Sequence, residues 1–213
     1  MRNDLDIKKF SVGRFQANCY IVSAKGSHEC IMVDAGDFVP EVEDYLIDND
    51  FRLKYILITH GHFDHIGGID YFRDKFGAKV CIGTDDAEML KNPAMNLSEF
   101  GFGKIISKDA DILLRDGDTL SFGEGIFITT IHTPGHTPGG VCYKIDDACF
   151  TGDTLFKESI GRTDFPGGDF NEIINSIKNK LFMLPDTTLV FPGHGDITTI
   201  KDEKLKNPFV RFL

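Results

Sequence analysis

The chain has no tryptophan, no Cys-x-x-Cys pair and no apolar run approaching the roughly 20 residues that cross a membrane. Its start, Met1-Arg2-Asn3-Asp4-Leu5-Asp6, lacks the hydrophobic core of a signal peptide, so a cytoplasmic protein is expected rather than a membrane or exported one. The five cysteines (Cys19, Cys30, Cys81, Cys142, Cys149) are odd in number and scattered, which argues for free buried thiols and against a disulfide framework. Positive charge is short as well: 23 Lys and Arg against 33 Asp and Glu leave a net charge of −10, which disfavours a nucleic-acid partner. What remains is an ordinary globular composition, 41% hydrophobic and 26% charged, with phenylalanine frequent at 19. At 213 residues it predicts one domain over 1–213 with one sizeable core.

One stretch concentrates chemistry. Ile58-Thr59-His60-Gly61-His62-Phe63-Asp64-His65-Ile66-Gly67-Gly68 places three imidazoles and a carboxylate within six residues. These are ligands that zinc, iron and manganese all accept, and no thiolate accompanies them. Tyr55 to Ile58 reads as a buried strand ending at Thr59, so His60 and His62 leave its carboxyl end at i and i+2 with Gly61 letting the backbone bend. A helix is expected from about Asp64, with Ile66, Ile69, Phe72 and Phe76 on one face and Gly77 as its stop.

Around this stretch the chain reads as sequential elements. Ile7–Phe10, Cys19–Val22 and Cys30–Val33 are expected as antiparallel strands. Asp34 follows them as a ligand, a turn residue or, preferably, a partner orienting a ligating histidine, and Asn18 has the same standing. Val42–Ile47, introduced by Pro40, reads as a short amphipathic helix. Residues 84–108 are an excursion of lid or substrate-loop type in which Phe100 and Phe102 either line a pocket or anchor the loop. Ile126–Ile131 predicts a buried strand running into the rigid loop His132-Thr133-Pro134-Gly135-His136, with His136 the candidate ligand and His132, at the strand end, either a competitor or a structural residue. Ala148–Thr151 then delivers Asp153, and Thr188–Phe191 delivers His194. Seven N/O donors (His60, His62, Asp64, His65, His136, Asp153, His194) exceed what one ion needs, whereas two ions sharing Asp153 account for them. Arg162 could hold a substrate carboxylate, or pair with Asp164 or Asp169. Phe170–Leu181 reads as a helix, and Lys201–Leu213 as a surface segment anchored by Phe209 and Phe212.

Thr59–Gly68, Thr133-Pro134-Gly135-His136-Thr137, Thr151-Gly152-Asp153-Thr154 and Pro192-Gly193-His194-Gly195 together closely resemble the motifs of the metallo-β-lactamase superfamily, in the right order over nearly the whole chain. The resemblance implies a four-layer αββα sandwich with the metals at one edge. The Thr133–Gly139 loop and Gly161–Gly168 look like glyoxalase II and its small bacterial relatives. By that likeness His60, His62 and His136 bind one metal, Asp64, His65 and His194 the second, and Asp153 bridges. The metals are expected to be zinc, with iron and manganese also compatible. The implied activity is hydrolysis of small-molecule thioesters such as S-lactoylglutathione by a metal-bridging hydroxide that Asp64 orients. Two departures weigh against glutathione as the carrier: the added basic C-terminal region of glyoxalase II is not expected here, and Asp164 stands where the family has a tyrosine. Competing readings are a mono-iron glutathione persulfide dioxygenase and a non-hydrolytic metal-binding redox domain. A β-lactamase and an RNA-processing nuclease rank lower.

Overall fold

The computed structural model describes residues 5–100, 103–123 and 125–210. Short apolar runs alternating with turns give three antiparallel strands, β1 (Leu5–Val12), β2 (Ala17–Ala24) and β3 (Glu29–Val33). Helix α1 (Pro40–Asp48), with proline in its first turn, carries the chain over to β4 (Arg52–Ile58), parallel to β3. Helices α2 (Phe63–Ile66) and α3 (Ile69–Phe76) lead to β5 (Lys79–Gly83), and β6 (Ile112–Leu114) completes a six-stranded sheet in the order β1-β2-β3-β4-β5-β6.

The second sheet is built from β7 (Thr119–Phe122), β8 (Ile126–His132), β9 (Val141–Ile145) and β10 (Ala148–Gly152). A small hairpin of β11 (Leu155–Phe156) and β12 (Ser159–Ile160) follows, then α4 (Phe170–Asn179), β13 (Leu189–Pro192), β14 (Thr198–Thr199) and α5 (Ile200–Lys206). The sheet order is β14-β13-β10-β9-β8-β7.

The period of two along each strand explains the layers. In β2, Cys19 and Ile21 face Val42, Leu46, Ile66 and Phe72 of the outer helices, while Tyr20 and Val22 face Phe150 and Phe191 of the second sheet. On the far side, Cys142, Cys149 and Val190 meet Ile173, Ile177 and Ile200 of α4 and α5. Helix, sheet, sheet, helix is the expected αββα sandwich. Burying a large aliphatic side chain contributes roughly 1.5–3 kcal/mol, so these three clusters hold the layers together. All five cysteines are buried and free. No helix among the described residues is long and apolar enough to cross a membrane.

Three expectations change. The helix expected after Asp64 is broken at Gly67-Gly68, whose amides bond Gly36 O (3.1 Å) and Ala35 O (2.7 Å); a Cβ on Gly67 would lie 2.6 Å from that Gly36 oxygen. Gly77 still ends α3 in the left-handed region at φ 70°. Strand β8 is half-buried, since Ile126 and Ile128 point inward and Phe127 outward. At the C-terminus, Val210 is the buried anchor while Phe209 is exposed; Phe212, like Phe102, lies outside the described residues.

Candidate metal centre

The strand ends converge. His60, His62, Asp64 and His65 follow β4, His136 follows β8, Asp153 follows β10 and His194 follows β13, so both sheets contribute at one edge of the sandwich. The donor atoms group into three overlapping sets within 4.8 Å: His60/His62/His136, His60/His65/Asp153 and Asp64/His65/His194. His62 Nδ1 lies 2.9 Å from His136 Nε2, and His65 Nε2 lies 3.3 Å from His194 Nε2. Asp64 Oδ2 approaches His194 Nε2 at 3.3 Å. Asp153 sits between the sets, with Oδ1 3.4 Å from His65 Nε2 and Oδ2 3.7 Å from both His136 Nε2 and His194 Nε2.

These residues fit metal ions on their own chemistry. His60 Nε2 and Asp153 Oδ1 are buried without a hydrogen-bond partner, a costly state unless each has a ligand to hold. Burial, reinforced by neighbouring imidazoles, holds His60 and His62 well below the usual imidazole range, so both keep a lone pair to donate. In the metal-free chain burial works against the His65 cation too, but Asp153, Asp34 and Asp64 outweigh it and its pKa is pushed up to about 10. Burial likewise opposes the Asp64 carboxylate, yet His65 and His194 hold it below the usual carboxylate range. One half of the cluster is thus an imidazole nest and the other a carboxylate-rich nest, both waiting for positive charge.

The surroundings hold the donors in place. Asp34, in the left-handed region at φ 57°, accepts from His65 Nδ1 (2.9 Å), Thr59 N (2.8 Å) and Thr59 Oγ1 (2.8 Å), fixing the imidazole whose other nitrogen faces the cluster. His136 Nδ1 donates to Arg162 O at 2.7 Å. Asn18 does not touch an imidazole; its amide donates to Pro192 O (2.9 Å) and Gly195 O (3.0 Å), clamping the loop that carries His194. A Cβ on Gly193 would collide with Asp153 Oδ1, so only glycine lets that loop pass. His132 is not a competitor for metal: its Nε2 bonds Pro138 O at 3.0 Å and braces the loop instead.

Asp86 is the residue that sequence reasoning passed over. Fully buried, it accepts from Gly61 N (3.0 Å), Thr137 Oγ1 (2.7 Å) and Gly139 N (2.7 Å), tying the His60/His62 turn to the His136 loop. The usable signal was its place just past β5, the same strand-end position that marks every ligand.

In front of the cluster lies a cavity of about 610 Å³. Phe15 and Phe63, edge to face at 5.1 Å, form one wall, and Phe165 and Pro166 another. Phe100 lines it from the 84–108 excursion. Arg162 also borders it, but its Nε and Nη2 bond the two Asp164 carboxylate oxygens at 2.7 Å each, and its guanidinium stacks 3.8 Å over Phe165. Asp169 is occupied elsewhere, capping α4 through Glu172 N.

Residues 12–194 match the family described as the metallo-beta-lactamase superfamily. The chain is 35% identical over 206 residues to a probable metallo-hydrolase of Bacillus subtilis (95% of this chain, 96% of the relative). It is 33% identical over 210 residues to a hydroxyacylglutathione hydrolase of Haemophilus influenzae (97% and 98%). Among solved structures it is similar to BLEG-1, a B3 metallo-β-lactamase (TM-score 0.91, 38% identity, 96% of this chain and 99% of that one). It is also similar to TTHA1623 in a di-iron-bound form (0.82, 30%, 95% and 100%) and to ETHE1 from Myxococcus xanthus (0.79, 27%, 95% and 83%).

Proposed function

Because the chain belongs to the metallo-β-lactamase superfamily, we propose that it is a binuclear metal-dependent hydrolase of thioesters, S-lactoylglutathione among them. The observation that carries this reading is the set of seven donors gathered around Asp153, whose Oδ1 lies 3.4 Å from His65 Nε2 and whose Oδ2 lies 3.7 Å from both His136 Nε2 and His194 Nε2. A hydroxyacylglutathione hydrolase among the relatives supports the thioester.

In this reading His60, His62 and His136 hold one cation, Asp64, His65 and His194 the other, and Asp153 both. Zinc is the first choice, and the di-iron form of a 30%-identical neighbour makes iron the second. Bound there, two divalent ions supply a nucleophilic hydroxide near neutral pH and a Lewis acid for the scissile carbonyl. Asp64, an ionised acceptor at the cavity floor, orients the attacking water. Asp34 and the Arg162 carbonyl keep His65 and His136 aimed. A thiolate leaves without protonation, so no further acid is needed from the apolar walls.

Metal analysis with a substrate panel tests it. Two metals per chain and thiol release from S-lactoylglutathione are expected. One iron per chain with oxygen uptake on glutathione persulfide would instead establish the dioxygenase, and turnover of a chromogenic cephalosporin the β-lactamase to which BLEG-1 points.

A further inference from the structure

Building on the thioesterase reading, we propose that the substrate's acyl group is apolar, a ring or a chain of about six carbons, rather than a small hydroxyacyl group. The polar inventory of the cavity leads there. Its lining comprises His62, Asp64, His136, Asp153 and His194, all donors of the metal cluster, together with Arg162 and six apolar residues. The donors are committed to the centre itself. Arg162 is committed to Asp164 by two 2.7 Å bonds and to the Phe165 ring. Among the described lining residues no further polar side chain is left to recognise a hydroxyl or a carboxylate.

What faces the substrate is Phe15, Phe63, Leu97, Phe100, Phe165 and Pro166. Phe100 is 66% and Phe15 41% exposed, an apolar surface beside the reaction centre that a ligand can cover. The walls begin at the centre: the Phe165 ring lies 5.8 Å from that of His62, and Phe63 adjoins Asp64 in the chain. A substituent on the scissile carbonyl therefore meets hydrocarbon at once. A volume of about 610 Å³ exceeds what an acetyl or lactoyl group fills. Arg14 is not among its lining residues and borders instead an adjoining recess of about 370 Å³, together with Asp37.

The test is an acyl series on one thiol: acetyl-, lactoyl-, hexanoyl- and phenylacetyl-glutathione with the metal-loaded protein, followed by thiol release. Each buried methylene is worth about fourfold, so with half of the added chain buried, kcat/KM for hexanoyl exceeds that for acetyl by about tenfold or more. Phenylacetyl should exceed lactoyl in the same way, and Phe100→Ser, at an exposed position that folding tolerates, should narrow both ratios at least threefold. Calorimetry with S-hexylglutathione and S-methylglutathione reads the same preference without turnover, the hexyl compound binding at least tenfold tighter. Lactoyl equal to or better than hexanoyl, or equal affinity of the two thioethers, overturns the proposal and leaves the thioesterase reading standing. Tighter hexyl binding with no thioester cleaved does the reverse, removing the thioesterase reading and upholding the apolar site.

Discussion

Replacing Asp86 separates a buried clamp from a bystander. Its carboxylate receives two backbone amides and one hydroxyl at 2.7–3.0 Å in a fully buried position. In Asp86→Ala the Gly61 and Gly139 amides lose their acceptor inside the protein, at about 1–3 kcal/mol each. Part of this is returned, because burial pushes the Asp86 carboxyl above the usual carboxylate range even though Thr137, Gly61 and Gly139 oppose that shift. A net loss of about 3–4 kcal/mol corresponds to a melting temperature roughly 10 °C lower for a chain of this size. The amides belong to the turn between His60 and His62 and to the loop carrying His136, so metal affinity at that triad should fall about 10- to 100-fold, as is usual when a group supporting a ligand is lost. Asp86→Asn keeps the shape and one acceptor and should lie between. Calorimetric melting of the metal-free protein, with competition against a chromophoric chelator, measures both. A shift under about 2 °C with unchanged metal affinity would falsify the clamp.

Three further outcomes follow from the same geometry. Asp34→Asn removes the acceptor behind His65, so one of two metal-binding steps should weaken by about 10- to 100-fold while the other is retained, read as a change in the stepwise isotherm. Since His65 is raised from 6.5 to about 10 in the metal-free protein, its contribution to stability is fully present below pH 6.5 and lost as pH rises through 10; melting of the metal-free chain between pH 7 and 10 should show the decline, and zinc titration in buffers of different ionisation enthalpy should show proton release. A flat profile with no proton released would contradict the carboxylate cage around His65. Asp164→Ala frees Arg162, and KM for carboxylate-bearing thioesters should fall severalfold with kcat unchanged; no change in KM would mean that Arg162 does not reach the substrate.

Local signals carried most of the legible structure. Turn residues and short apolar runs located β1 to β3, Gly77 marked the end of α3, and the isoleucines of α4 gave its buried face. The donors were legible because each follows a strand end, a property of a few consecutive residues. The stacking of the two sheets came from resemblance to a family, since strand periodicity says which face is buried but not against what. The misreadings share a cause. Gly67-Gly68 lie within a continuous helical pattern, yet their amides serve the loop at Ala35 and Gly36, a contact about 30 residues away in sequence. Asn18 and Asp86 act on loops at Pro192 and Gly139, which nothing in their own neighbourhoods foreshadows. Arg162 and Asp164 are two residues apart, so their pairing was readable, and it occupies both.

The division of donors between the sheets has a mechanical consequence. Four come from the end of β4 and three from the ends of β8, β10 and β13, so ions held there act as rivets across the seam of the sandwich. The same rim is already stitched by Asn18 to Pro192 O and by Asp86 to Gly61 N and Gly139 N, while His60 Nε2 and Asp153 Oδ1 are buried there without a hydrogen-bond partner. Binding free energy at the rivets then adds directly to the cohesion of the two sheets, growing with the logarithm of free metal. Chelation should unzip the molecule from this rim inward, with amide exchange quickening at the strand ends before it reaches the inter-sheet aromatics Tyr20, Phe150 and Phe191.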